Sequence, residues 1–162
     1  MNGVLLEHGA EISLGVTTPA CVGDYLRHRQ SRAVTSRITT SAADLDKQDA
    51  TWIVRAGLAD DAGVSIESKN YPGRFLRHQQ GAVYHHENDG SRQFAEDATF
   101  VVTSARNSHG ISLASFNFPD HYVRHWQGEI YIARNGGPEP WERTASWTDD
   151  VSWLPREGWA SD

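Results

Sequence analysis

Three histidines in this chain each follow an arginine on an apolar run, as Arg27-His28, Arg77-His78 and Arg124-His125. Downstream of each lies a segment of small residues ending in an aromatic: Asp49-Ala50-Thr51-Trp52, Asp97-Ala98-Thr99-Phe100 and Thr144-Ala145-Ser146-Trp147. A single such histidine reads as a hydrogen-bonded, half-buried filler. Three change the argument, because placing an imidazole near a carboxylate costs free energy unless its hydrogen bonds are used, and apolar residues would pack a repeated core without that cost. The pattern therefore points to pockets that hold a ligand through a His and an Asp. A His beside a carboxylate can also titrate near neutral pH, which keeps general acid/base chemistry by His78 and Asp97 open as an alternative.

The elements that must position these residues follow from their period. The Arg-His pairs at 27, 77 and 124 step by 50 and 47 residues, and the small-residue segments at 49, 97 and 144 step by 48 and 47. A further marker, a strand-like run before Asn-aromatic-Pro, occurs as "SIESKNYPG" at 65–73 and "SLASFNFPD" at 112–120, with a degenerate "SLGVTTPA" at 13–20. Internal repeats of this length mark units that cannot bury an apolar face alone. Within the second unit four strands are predicted, "VSIES", "RFLRHQ", "AVYHHE" and "TFVVTS", separated by Pro72-Gly73, Gly81 and Asn88-Asp89-Gly90. No stretch of eleven residues or more carries a helical stripe, so the chain is predicted to be all-β. Three copies of four strands are too few for an ordinary propeller but suffice for a three-fold barrel with hairpin caps. The expected fold is a β-trefoil forming one domain over 1–162, with repeats at about 12–60, 61–107 and 108–150 and a Trp-rich extension at 151–162. Leu26, Leu76 and Val123, and Trp52, Phe100 and Trp147, are the expected three-fold layers of its core.

The composition narrows the partners. With 21 acidic against 15 basic residues the net charge is -6, which repels phosphate backbones and anionic lipid, so neither nucleic acid nor membrane is an expected partner. The N-terminal apolar run Val4-Leu5-Leu6 is too short for a signal-peptide core or a membrane span; as written the chain is expected in the cytosol, or secreted if it is an excised module. The lone Cys21 can form no internal disulfide and reads as a small buried thiol.

"NYPGRFLRH" followed by "DGSRQFAEDATF", with its two partial copies, resembles the arabinofuranose-binding β-trefoil modules attached to fungal and bacterial α-L-arabinofuranosidases, the family-42 carbohydrate-binding modules. The resemblance covers about residues 12–148. It implies one shallow sugar pocket per repeat, in which the motif His and Asp bond arabinofuranosyl hydroxyls and an aromatic ring covers the sugar face. The chemistry is suitable: a carboxylate accepts from two neighbouring hydroxyls, a neutral imidazole offers a donor and an acceptor, and a ring covers C–H groups. Carried over, Asn70, Tyr71, His78 and Asp97 form the complete set in the second copy. The first copy keeps His28 and Asp49 but has Thr17-Thr18 where the Asn-aromatic pair belongs. The third keeps Asn117, Phe118 and His125, but Thr144 stands in the acidic position and Trp126 follows the His. The three arginines are read as structural.

The expected partner is an arabinofuranose-containing glycan or another small-molecule ligand, bound by a monomer without a cofactor. No metal is expected. The adjacent His85-His86 would face opposite sides of a strand, and no Cys or His cluster has zinc spacing. Glu67, Glu87, Asp89, Glu96 and Asp97 contain enough carboxylates for glycoside hydrolysis, but no pair recurs with the pocket pattern. Two further readings stay open, a stand-alone intracellular trefoil using His78 and Asp97 as an acid/base pair on a small molecule, and a protein-interaction trefoil with a large apolar surface patch. Trp141, Trp147, Trp153 and Trp159, six apart, match neither strand nor helix; those outside the repeat are expected to pack over the barrel's open end.

Overall fold

The structure, a computed structural model, describes residues 6–160; Val4 and Leu5 of the N-terminal apolar run, and the last two residues of the proposed extension, lie outside them. It is all-β, with twelve strands in the order β1 (Glu11–Val16), β2 (Asp24–Arg29), β3 (Arg32–Arg37), β4 (Trp52–Ala56), β5 (Val64–Ser68), β6 (Arg74–Gln79), β7 (Ala82–Glu87), β8 (Phe100–Ser104), β9 (Ile111–Ser115), β10 (Tyr122–Trp126), β11 (Glu129–Ala133) and β12 (Trp153–Glu157). The helices between them are short: α1 (Asp44–Asp49), α2 (Arg92–Asp97) and α3 (Trp147–Asp150). The four strands predicted in the second repeat are β5 to β8.

Six strands pair in a closed ring through β1–β4, β4–β5, β5–β8, β8–β9, β9–β12 and β12–β1. The other six form the hairpins β2–β3, β6–β7 and β10–β11. Each hairpin joins the ring through its first strand and its two fellow hairpins through its second, so closure pairs strand edges that would otherwise stay open. The hairpin turns are also equivalent. Gln30-Ser31, Gln80-Gly81 and Gln127-Gly128 all have positive φ at both residues, the backbone that matches the twist of a two-residue hairpin.

The core fills the ring. Leu26, Leu76 and Val123 are all buried within one cluster, as expected, together with Trp52 and Phe100. Trp147 is not their partner. The third aromatic is Trp153, whose indole N–H donates to the Val123 carbonyl at 3.1 Å just as that of Trp52 donates to Leu26 at 3.0 Å. Trp147, the first residue of α3, instead packs edge-on against Tyr122 of β10, with ring centroids 5.6 Å apart. Residues 151–160 are accordingly not an appendage, since β12 closes the ring between β1 and β9. The other tail tryptophans pack separately, Trp141 on Tyr131 and Trp159 on Tyr25.

Candidate functional site

Each repeat's Arg-His pair and acidic residue meet the turn that follows a strand of the next repeat, so the polar clusters sit at repeat junctions. At the second junction Asp97 ends α2, a helix capped by Ser91, whose hydroxyl accepts from the Phe94 N–H at 3.0 Å, and anchored by buried Phe94. One Asp97 oxygen accepts from Arg77 at 2.7 Å, and the other from Asn117 and Gln93, both at 2.9 Å. The Asn117 carbonyl oxygen accepts from His78 Nε2 at 2.8 Å and from the Ser115 hydroxyl at 3.1 Å. Because the Asn117 amide must donate to the carboxylate, its oxygen faces His78, and the imidazole carries its proton on Nε2. Phe118 follows, 48% exposed and edge-on to His78 at 5.3 Å.

The first junction repeats this network from different sequence. Asn70 Nδ2 donates to Asp49 at 2.7 Å and its oxygen meets His28 Nε2 at 2.9 Å and the Ser68 hydroxyl at 3.0 Å. Arg27 holds the other Asp49 oxygen. Tyr71, 46% exposed, lies edge-on to His28 at 5.4 Å. The rear of His28 is covered by His85, stacked at 4.0 Å.

At the third junction the carboxylate is Asp150, not a hydroxyl at 144. Arg124 donates to one Asp150 oxygen at 2.8 Å, the Thr18 hydroxyl donates to the other at 2.7 Å, and Thr18 also lies 3.0 Å from His125 Nε2. Thr18 thus replaces the asparagine, and Pro19 follows it where the other two junctions have an aromatic. Thr144 is exposed.

Desolvation governs the electrostatics. Burial lowers the pKa of His28, His78 and His125 below the ordinary histidine value, against the opposing pull of the neighbouring carboxylates. At neutral pH these rings are therefore uncharged, with a fixed tautomer at the two asparagine junctions. That undercuts the acid/base premise for His78, whose proton affinity falls rather than rising toward 7. It suits recognition of hydroxyls: a carboxylate has about four lone-pair sites, and the internal bonds do not use them all.

The sequence placed the right residue types but grouped them within repeats. The structure brings His28, Asp49, Asn70 and Tyr71 together, and His78, Asp97, Asn117 and Phe118 together, while His125 joins Thr18 and Asp150. Asn70 and Tyr71 therefore do not serve His78, and the first junction is complete rather than damaged. Sequence reasoning missed Asp150, although "DDVSW" has the same acid, small, hydroxyl, aromatic order as "QDATW" and "EDATF". It also missed Ser68 and Ser115, legible as Ser two positions before each Asn, and the direct grip of all three arginines on the carboxylates.

Two of the junctions open into clefts. That at the second has a volume of about 520 Å³, lined by His78, Asp97 and Phe118 and, across from them, Trp141 and Glu139. The third holds about 360 Å³, with Trp126 and half-buried Cys21 in its lining. His85 and His86 diverge as expected, the first stacking on His28 and the second on Tyr84. Among the described residues no group of three His, Cys, Asp or Glu side chains is arranged to hold a metal.

Known proteins show the same arrangement of sequence and fold. Residues 14–154 match the alpha-L-arabinofuranosidase B (ABFB) domain. The chain is 48% identical over 153 residues to a probable alpha-L-arabinofuranosidase B of Aspergillus terreus, covering 94% of this chain and 30% of that protein. It is 41% identical over 159 residues to an alpha-L-arabinofuranosidase of Hypocrea jecorina, covering 98% and 32%. Among solved structures, an arabinofuranosidase complexed with arabinofuranosyl-alpha-1,2-xylobiose superposes with a TM-score of 0.97 at 35% identity, over 99% of this chain and 33% of that one. The chain thus spans about a third of the length of these relatives. On the strength of a match covering most of its length, it belongs to the alpha-L-arabinofuranosidase B domain family.

Proposed function

We propose that the chain is a non-catalytic carbohydrate-binding module of β-trefoil architecture that recognises arabinofuranosyl side groups of plant polysaccharides as a monomer. The observation that carries this reading is the duplication of one network, His–Asn–Asp beside an exposed aromatic, at the first and second junctions. Each offers fixed donors and acceptors for vicinal hydroxyls and a ring for the C–H face of the sugar. The arabinofuranosidase relatives, and the module-like share of their length that this chain spans, support the same ligand class. The ring with three hairpins and the matched turns support the trefoil, with repeats at about 12–60 and 61–107 and a third that runs from about 108 through β12. The third junction, lacking the aromatic, is the weakest site or none.

Retention on insoluble arabinoxylan tests this. His28→Ala and His78→Ala should each weaken retention, and the double variant should lose it, because two tethered weak sites reinforce one another through effective concentration. Wild-type protein eluting no later than an inert protein of similar size would reject the proposal.

A further inference from the structure

Each junction arginine grips its carboxylate with one amino group, and each repeat gives the other amino group a different acceptor. Nη1 of Arg27 donates to Asp46 at 2.9 Å. Nη1 of Arg124 donates to the carbonyls of Trp141 at 2.8 Å and Arg143 at 2.7 Å. In the second repeat the residue three before Asp97, where Asp46 stands before Asp49, is Phe94, and the Arg77 guanidinium lies 4.9 Å from that ring. There Nη1 meets Nδ1 of His86 at 3.4 Å. The corresponding residues of the other hairpins are Ser36 and Ala133, which pair opposite Tyr25 and Tyr122 as His86 pairs opposite Phe75.

This contact fixes the chemistry of the imidazole. A guanidinium only donates, so His86 Nδ1 accepts and the neutral ring carries its proton on Nε2. The ring is held by stacking on Tyr84, with centroids 5.0 Å apart and 10° between the planes, and Arg32 of β3 lies 5.4 Å from the same tyrosine. The charges that bear on His86 are the cations Arg77 and Arg74 of β6; burial and these two hold its pKa below the ordinary histidine value. Protonation would replace the acceptor by a donor and set a second cation against Arg77, whose other amino group grips Asp97 at 2.7 Å. Asp97 in turn orients Asn117, which holds His78. A carboxylate in the place of His86, such as Asp46 supplies in the first repeat, goes on accepting in mild acid, where an imidazole does not.

We propose that His86 is a positioning residue for the second junction: as a neutral acceptor it aims Arg77 at Asp97, and when protonated it loosens that grip. The second junction then releases its sugar in mild acid by a route that the first does not have. This inference rests on the arabinofuranose reading above.

Titration calorimetry with methyl α-L-arabinofuranoside at pH 7 and pH 5 tests it. In the His28→Ala chain, where the second junction is the one complete site left, affinity should fall about three- to tenfold at pH 5, the scale of one lost hydrogen bond. Adding His86→Ala should bring a fall of that size already at pH 7, with little further loss at pH 5. His86→Gln, which keeps an acceptor that acid does not protonate, should restore the pH 7 affinity and hold it at pH 5. In the His78→Ala chain, where the first junction is read, neither His86 variant should change the affinity. The inference is overturned by an absent pH 5 loss in the His28→Ala chain, by a loss that persists undiminished in His86→Gln, or by equal effects of His86→Ala at the two junctions. If the wild-type chain binds the probe at neither pH, the arabinofuranose reading fails and this inference with it.

Discussion

Asp97 accepts from Arg77, Asn117 and Gln93 at once, so its charge holds the second junction together before any ligand arrives. Removing the carboxylate leaves a largely buried guanidinium without its counter-charge, a loss of roughly 3–5 kcal/mol when one partner of a buried pair is deleted. Asp97→Ala is therefore expected to lower the stability to urea by several kcal/mol as well as to weaken sugar binding. His78→Ala, which removes a neutral ring, should cost less stability for a comparable loss of binding. Urea unfolding beside an affinity measurement separates the two. The individual residues were legible because His is unusual on an apolar strand and recurs, and because the Asp and Asn recur at matching distances in the helix ends and turns that follow. The arginines were not, because their reach to a carboxylate some twenty positions away depends on where the short helices end.

Among the elements, α3 shows how a local motif can mislead. Thr144-Ala145-Ser146-Trp147 copies the spacing of the other two acidic segments to within a residue, yet the segment that occupies their place in the fold is Asp150-Val151-Ser152-Trp153. Burial decides between them, since Trp153 is fully buried in the ring and Arg124, 1% exposed, must find a carboxylate. Replacing Asp150 by Ala is expected to cost about 3–5 kcal/mol, while Thr144→Ala, at an exposed position, should stay within about 0.5 kcal/mol of wild type. Scanning calorimetry of the two variants tests the assignment; equal effects would show that the third carboxylate has been misplaced. The remaining strands were readable at the level of the element, because short apolar runs bounded by turn residues leave a signature in the sequence even where, as in β5 and β9, the strand is buried throughout.

For the molecule as a whole, five histidines have pKa values pushed down by burial: His28, His78, His85, His86 and His125, with His85 at about 3. A histidine whose folded pKa lies below its unfolded value of about 6.5 binds a proton more readily in the unfolded chain. Its contribution is intact above that pH and is lost as the pH falls toward the folded value, by up to about 1.4 kcal/mol per unit for each such group. The melting temperature should thus fall steadily below pH 6.5, and His85→Leu should flatten the decline. Sugar affinity should instead stay level between pH 7 and 8, since burial holds the pKa values of His28 and His78 below the ordinary histidine value. A bell-shaped pH profile centred near 7 would favour acid/base chemistry in its place.

The sequence by itself determined the all-β class, the three-fold period, the buried layer of Leu26, Leu76 and Val123, and the residue types that line the junctions, because each leaves a periodic or compositional trace along the chain. Only the tertiary structure decided which residues meet. A repeat that cannot close alone completes its pocket with the turn of its neighbour, so Asn70 serves His28, Asn117 serves His78, and Thr18, from the far end of the chain, serves His125. Ring closure sets those partnerships, and closure is a property of strand pairing between distant segments that spacing along the chain does not encode.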